Sequence, residues 1–205
     1  MLMNKAEFLL MNNPLRAYIQ EKYELPILLG MSSGRSYSNA LEIGCGNGNG
    51  TRLIKKNYRP GKLIAIDLDE KMIALARKNN TDPAVEFVVM DASGLKFPDN
   101  FFDVVFDFGI IHHIPNWREC LRELKRVLKP DGELILEELA RESFRGFPGS
   151  LWRRILVHPY KDMFTFGQLV NGLDEIGFEI TNRKISNPMG LLQHISLTAR
   201  MKDIQ

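Results

Sequence analysis

Ten residues, Leu41-Glu42-Ile43-Gly44-Cys45-Gly46-Asn47-Gly48-Asn49-Gly50, constrain this chain more than any other stretch. The apolar run Ala40 to Ile43 reads as a short strand. It enters a loop with glycine at every second position, and Thr51 to Tyr58 then has the spacing of an amphipathic helix. Glycine takes backbone conformations barred to other residues and lets a ligand come within van der Waals reach of the main chain. The helix behind such a loop aims unpaired N–H groups and a partial positive charge at the same space. Strand, loop and helix together predict a ligand cradle.

Beyond the cradle, apolar runs alternate with helical patterns. Leu63 to Ile66 leads to Asp67, and Met72, Ile73, Leu75 and Ala76 follow at helical spacing. Val85 to Met90 ends at Asp91, and Phe102 to Phe106 ends at Asp107. Trp117 to Leu128 reads as an amphipathic helix, Lys129-Pro130-Asp131-Gly132 as a turn, and Glu133 to Glu138 as a fifth strand. This rhythm means βαβ units, a parallel sheet and right-handed crossovers. Near the end, Phe166 to Ile176 reads as a helix closed by Gly177. Phe178 to Ile185 and His194 to Met201 are separated by too few residues for a parallel crossover, so they are expected to pair as a hairpin. The fold class is therefore α/β: a three-layer sandwich around a mostly parallel, seven-stranded sheet with a C-terminal antiparallel hairpin. In such sheets ligands bind beyond the carboxyl ends of the strands, where Gly44, Asp67, Asp91 and Asp107 fall.

The glycine spacing narrows the ligand. A dinucleotide fingerprint, G-x-G-x-x-G, needs a third glycine or alanine three residues after the second. Asn49 or Thr51 stands there, depending on the register, which disfavours a nicotinamide-dependent oxidoreductase. What stands instead is acidic-x-Gly-x-Gly-x-Gly, from Glu42 to Gly48. A carboxylate at that strand end would repel a pyrophosphate and suits a cationic ligand. At these residues the chain resembles the class I S-adenosylmethionine-dependent methyltransferases, whose first motif reads this way. Phe97-Pro98-Asp99-Asn100-Phe101-Phe102-Asp103 and Leu124-Lys125-Arg126-Val127-Leu128-Lys129-Pro130-Asp131-Gly132 match in order, so the likeness covers roughly Ser38 to Arg200. It is greatest to the small-molecule branch that includes ubiquinone and menaquinone methyltransferases. The resemblance implies a Rossmann-like fold and S-adenosylmethionine as cofactor, with S-adenosylhomocysteine as product.

Carried over residue by residue, it implies a cofactor site of Glu42, Gly44, Cys45, Gly46 and Gly48 in the first motif. Asp67 would accept from the ribose hydroxyls, with Leu68 and Met72 flanking the adenine. Asp91 would accept from the adenine amino group, Ala92 would offer its backbone N–H to a ring nitrogen, and Phe108 would stand beside the reactive methyl. Asp107 departs from the family, which usually has a small polar residue there, and the signature Asn/Asp-Pro-Pro-Tyr of amino methylation is absent. Asp107 and His112 are the candidate catalytic groups, as a base or a partner for a cationic amine. Adjacent side chains diverge, so at most one of His112 and His113 is expected to face the pocket. His158 and His194 have no ligand spacing, and no metal site is expected.

Composition sets the remaining bounds. With 205 residues, 44% hydrophobic and 25% charged, one domain with a substantial core is expected. Lys+Arg 27 against Asp+Glu 25 gives a net charge of +2, so no basic field advertises nucleic-acid binding. Neither Cys45 nor Cys120 suggests a disulfide. The apolar patch Phe8 to Met11 is cut off by Asn12-Asn13-Pro14, too early for a signal or a membrane span. The expectation is a soluble, cytoplasmic protein acting on a small apolar or amphipathic molecule, with at most transient contact with a membrane surface. Two segments are read as pocket covers, one preceding the methyltransferase domain of 38–205 and one inserted within it. Residues 1–37 contain a helix capped by Asn13, with Leu15, Tyr18, Ile19 and Tyr23 on one face. Residues 141–165 carry an apolar stripe from Leu151 through Trp152 to Leu156, with Arg153 and Arg154 beside it. The rival reading from another class is a module that binds the cofactor without consuming it.

Overall fold

The computed structural model describes residues 13–145, 149–151 and 159–202. Seven strands form one sheet: β1 (Asn39–Ile43), β2 (Lys62–Asp67), β3 (Val85–Val89), β4 (Phe102–Phe108), β5 (Leu128–Glu138), β6 (Phe178–Ser186) and β7 (His194–Met201). Their order is β3-β2-β1-β4-β5-β7-β6. The first five are parallel, and β7 runs antiparallel to both β5 and β6. The hairpin forms as expected, and its second strand inserts beside β5. Strand order reverses between β1 and β4, the place where a crevice opens in a sheet of this kind.

The helices are α1 (Pro14–Ile19), α2 (Leu25–Met31), α3 (Asn49–Asn57), α4 (Glu70–Asn79), α5 (Trp117–Val127) and α6 (Phe166–Ile176), with a π-helical turn, Gln20–Glu24, joining the first two. Strand alternation decides what each helix covers. Leu41, Ile43, Val105, Leu134 and Leu136 point to one face, where Leu121 and Leu124 of α5 and Leu169 and Leu173 of α6 bury them. Ala40, Phe106 and Ile135 point to the other, against Leu28 of α2 and Ile54 of α3. On that same side α4 packs Ile73 and Ala76 on Ala65 and Phe87. Helices on both faces make the three layers.

The same alternation sorts the acids. Asp107 and Glu138 fall in step with Val105 and Leu136, on the α5/α6 face. Glu42, Asp67 and Glu137 fall in step with Ala40, Ala65 and Ile135, on the α3 face.

One local expectation needs correction. Lys129 to Gly132 do not close a turn between helix and strand. The cap residue of α5, Leu128, is already extended and pairs with Phe102; pairing resumes with Val104 opposite Glu133. The four residues bulge out opposite Asp103, whose Oδ1 accepts from Lys129 Nζ at 2.5 Å. Leu15, Tyr18, Ile19 and Tyr23 of the N-terminal segment differ in burial. Ile19 is buried, whereas Leu15, Tyr18 and Tyr23 are 48%, 51% and 40% exposed. The π-helical turn widens the spacing, so Tyr18 and Tyr23 meet edge to face with ring centroids 6.3 Å apart. The stripe turned inward is the polar one: Gln20 and Glu24 are buried and Arg16 is mostly so.

Residues 141–165 are anchored at both ends. Arg141 N donates to Phe164 O at 3.1 Å, Phe144, Met163 and Phe164 are buried, and the Phe164 ring lies 5.3 Å from that of Trp117. Leu151 is exposed; Trp152, Arg153, Arg154 and Leu156 lie outside the described residues.

Candidate functional site

A cavity opens at the carboxyl edge of the sheet over β1, β2 and β4. Its floor is the glycine loop. Gly44 sits at φ +63°, in the left-handed region, and a β-carbon there would collide with the Ile110 side chain. A β-carbon on Gly50 would strike Glu42 Oε1, so this glycine leaves the carboxylate open to the cavity. Glu42, Gly44, Cys45, Gly46, Asp67, Leu68, Met72, Asp91, Ala92 and Phe108 all line the wall. Gly48 does not. At φ +83° it caps the N-terminus of α3, and it lets α3 approach α4 so closely that a β-carbon would press on Ala76 and collide with Asn80 Nδ2.

Glu42 is buried, and its one side-chain partner is the Thr51 hydroxyl. Burial pushes its carboxyl up to about 8, and Asp67 and Asp107 nearby add to the effect. Asp67 accepts from Gly46 N at 2.8 Å and from Asp69 N at 2.9 Å. Burial raises this carboxyl too, against the pull of those donors. The cap of α4 is Asp69, which accepts from Lys71 N, so Asp67 is left free of capping duty. Asp91 accepts from Ser93 N at 2.8 Å and Ser93 Oγ at 2.7 Å, a local turn that fixes it on the wall. Buried carboxylates short of donors over a side-chain-free floor suit a ligand that brings a cation and hydroxyl donors. A pyrophosphate among Glu42, Asp67, Asp69 and Asp91 would meet repulsion on every side.

The candidate catalytic groups lie elsewhere. Asp107 and His112 are buried and neither is on the wall; Phe108 and His113 are. The cause is the strand parity described above, which sends Asp107 to the α5/α6 face. There its Oδ1 accepts from Ile110 N at 2.9 Å, while Glu138 accepts from Ile111 N at 2.5 Å and lies 2.6 Å from His112 Nδ1. Burial pushes Asp107 well above the usual carboxylate range, with Glu138 reinforcing it, and pushes Glu138 up to about 8. These acids pin the helical turn Ile111–His113, and that turn presents His113 to the cavity.

The remaining wall comes from residues that sequence reasoning did not single out. Arg16, Ala17 and Gln20 reach it from the N-terminal helix, and Asn49 Nδ2 donates to Gln20 Oε1 at 2.6 Å. Arg16 Nη1 bonds both Glu24 oxygens, at 2.9 and 2.7 Å. His194 Nδ1 pairs with Glu137 and lies 3.7 Å from Glu24. Glu24, Glu137 and His194 bring ligand-type atoms within 4.8 Å of one another, as a metal site would. The Arg16 guanidinium already balances this group: two cations face two carboxylates when all are ionised. Burial would raise Glu137, but His194 and Arg16 hold it below the usual range. Burial would lower His194, and Glu137 more than reverses that. Glu24, squeezed by burial and by Glu137, is pushed up to about 7.

Residues 41–136 match the family model described as a methyltransferase domain. A phthiotriol/phenolphthiotriol dimycocerosates methyltransferase of Mycobacterium tuberculosis is 37% identical over 92 residues, covering 45% of this chain and 34% of the relative. A fatty-acid O-methyltransferase of Mycolicibacterium smegmatis is 37% identical over 95 residues, covering 46% and 35%. The matching region thus spans about a third of the length of these curated relatives. Among solved structures, an S-adenosylmethionine-dependent methyltransferase from Aquifex aeolicus superposes with a TM-score of 0.71 at 19% identity, over 96% of this chain and 99% of that one, which establishes a shared fold. Residues 41–136 are thus similar to a methyltransferase domain, and the chain shares the fold of an S-adenosylmethionine-dependent methyltransferase.

Proposed function

We propose that the protein transfers the methyl group of S-adenosylmethionine to a small, apolar or amphipathic acceptor. The observation that carries this reading is the convergence of Glu42, Asp67 and the glycine loop on one cavity at the reversal point of the sheet. When bound, the cofactor supplies an electrophilic methyl on a sulfonium. The chain holds and orients it: Glu42 toward the ammonium group, Asp67 on the ribose hydroxyls, Leu68 and Met72 along the adenine, Asp91 and Ala92 at its edge, and Phe108 on the acceptor side. Such a transfer is an in-line displacement, so alignment and exclusion of water supply most of the acceleration. The N-terminal helix covers the cavity with Arg16, Ala17 and Gln20.

An apolar acceptor is supported by the side chains beyond Phe108, among them Ile110, Ile114 and Pro115, and by relatives whose names specify lipids. Quinone precursors of the resembled branch share that apolar character. Exposed Leu15, Tyr18 and Tyr23 give the cover helix a surface suited to transient contact with a membrane. Among the described residues, no helix is long and apolar enough to cross one.

Titration calorimetry with S-adenosylhomocysteine tests the reading, with NAD as control. Wild type is expected to bind the first and not the second, and Asp67→Ala to weaken binding about a hundredfold through loss of charge-assisted hydrogen bonds. Binding of NAD alone would overturn it. Consumption of S-adenosylmethionine with an acceptor separates the enzyme from a module that only binds.

A further inference from the structure

The cavity has two electrically different sides. The cofactor side carries the carboxylates Glu42, Asp67, Asp69 and Asp91; the other carries Arg16, Gln20, His113 and Asn116 among apolar residues, and no carboxylate among the described residues. Resting on the methyltransferase reading above, we propose that the acceptor is a carboxylic acid with an apolar body, that Arg16 receives its carboxylate, and that the product is a methyl ester.

The argument begins with the Arg16 fork. Nη1 is bonded to Glu24, whereas Nη2 lies 3.9 Å from Glu137 and, like Nε, has no hydrogen bond among the described residues. The side chain is 22% exposed and lines the cavity wall, where an incoming carboxylate would share the guanidinium with Glu24 and Glu137. A guanidinium is always charged and matches a carboxylate with two parallel donors.

The alternatives fit less well. An aliphatic alcohol must lose a proton as it attacks, and among the described residues His113 is the one titratable base on this side. Glu42 and Asp67 serve the cofactor side, while Asp107 and Glu138 lie on the far face of the sheet. An alcohol acceptor would therefore depend on His113 as its general base. An amine would arrive as a cation beside Arg16. A carboxylate arrives ionised and needs no base. One of its oxygens bonds to the methyl carbon, the methyl–sulfur bond breaks, and its electron pair stays on sulfur. The negative charge of the acceptor and the positive charge of the sulfonium disappear together, and no proton moves.

The cofactor carries a carboxylate of its own, so the experiment must tell the two sources apart. The 205-residue chain is incubated with tritiated-methyl S-adenosylmethionine and saturated fatty acids from octanoic to stearic. Primary alcohols of the same lengths are run in parallel, and extracted products are identified as ester or ether. Calorimetry with S-adenosylhomocysteine is run on wild type, Arg16→Gln and Arg16→Lys. The expected result is ester from at least one acid and no ether. Arg16→Gln should raise KM for the acid about tenfold or more, with S-adenosylhomocysteine affinity within about twofold, and Arg16→Lys should recover part of the loss. Ether from the alcohols would overturn the inference. So would the absence of ester from every acid in a protein that binds S-adenosylhomocysteine, or a loss at Arg16→Gln confined to cofactor affinity. Failure of wild type to bind S-adenosylhomocysteine would bring down the methyltransferase reading and this one with it. The acid-versus-alcohol comparison needs no variant, so it stands even if Arg16→Gln fails to fold.

Discussion

The two edges of the sheet use the same residue type to opposite ends. At the amino edge, Glu133 is buried and accepts from Ser33 N, Ser33 Oγ and Tyr37 Oη, the last two at 2.6 Å. Asp103 accepts from Ser38 N and Asn39 N, both at 2.7 Å, and from Lys129. Burial would raise Asp103, but those partners hold it below the usual carboxylate range. At the carboxyl edge, Glu42 has one hydroxyl and Asp107 Oδ2 is buried without a hydrogen-bond partner. Glu42, Asp67 and Asp107 are all pushed upward, chiefly by burial. The amino edge is finished within the chain and serves stability. On the cavity side of the carboxyl edge Glu42 is left short of donors, and a cationic ligand would complete it.

Three substitutions test that division, in descending order of effect. Glu133→Leu strands three donors, so stability should fall by about 3 kcal/mol with S-adenosylhomocysteine affinity within about twofold. Denaturant unfolding and calorimetry measure both, and a loss confined to affinity would erase the contrast between the edges.

Glu42→Gln should do the reverse, lowering S-adenosylhomocysteine affinity about tenfold while leaving the free protein as stable or more so. The sign follows from linkage. Glu42 and Glu138 at about 8, and Glu24 at about 7, lie above the ordinary 4.5. The folded state therefore holds protons that the unfolded state has released. The stability these groups contribute is complete below about 4.5 and is lost as pH rises through the folded values. Melting temperatures of the ligand-free protein should fall between about pH 5 and 8, less steeply in the variant. A variant curve parallel to wild type would show that Glu42 does not titrate there.

Asp107→Asn should do least. The raised carboxyl is close to its neutral form, which Asn imitates, and it points away from the cavity. Stability should move by about 1 kcal/mol or less and S-adenosylhomocysteine affinity by about threefold at most. A larger drop in affinity would place Asp107 in the cofactor site after all.

What was legible in advance was local. The spacing from Glu42 to Gly48 and the acid ending β2 lie within one βαβ unit, so residue type and distance along the chain were enough to bring them together. Asp67 and Asp107 looked equivalent because each follows an apolar run. Their difference is strand parity. β4 continues to Phe108, which makes Asp107 the penultimate residue and turns it to the other face. Which residue ends a strand depends on the ladder with its neighbours, and an apolar run does not encode that. Arg16, Gln20 and Glu24 stayed hidden for a related reason. A polar stripe on a helix reads as the solvent face, and the partners that draw this one inward, Glu137 and His194, come from strands more than a hundred residues away. The π-helical turn that aligns the stripe leaves no mark in hydropathy. Its signal would have been the spacing of three polar residues four apart beside an aromatic pair five apart.

The position of β7 between β5 and β6 carries a consequence for how the polypeptide is made. Every other neighbour in the sheet joins strands that leave the ribosome earlier, so β1 to β5 can assemble while synthesis continues. β6 cannot dock on them, because its place beside β5 is taken by a strand not yet translated. Until His194–Met201 emerges, the edge of β5 stands open and β6 has no partner. In that interval the nascent chain exposes a hydrophobic strand edge to pairing with other chains. Completing the sheet therefore waits for the last of its seven strands, which carries Ile195, Leu197 and Ala199 into the core.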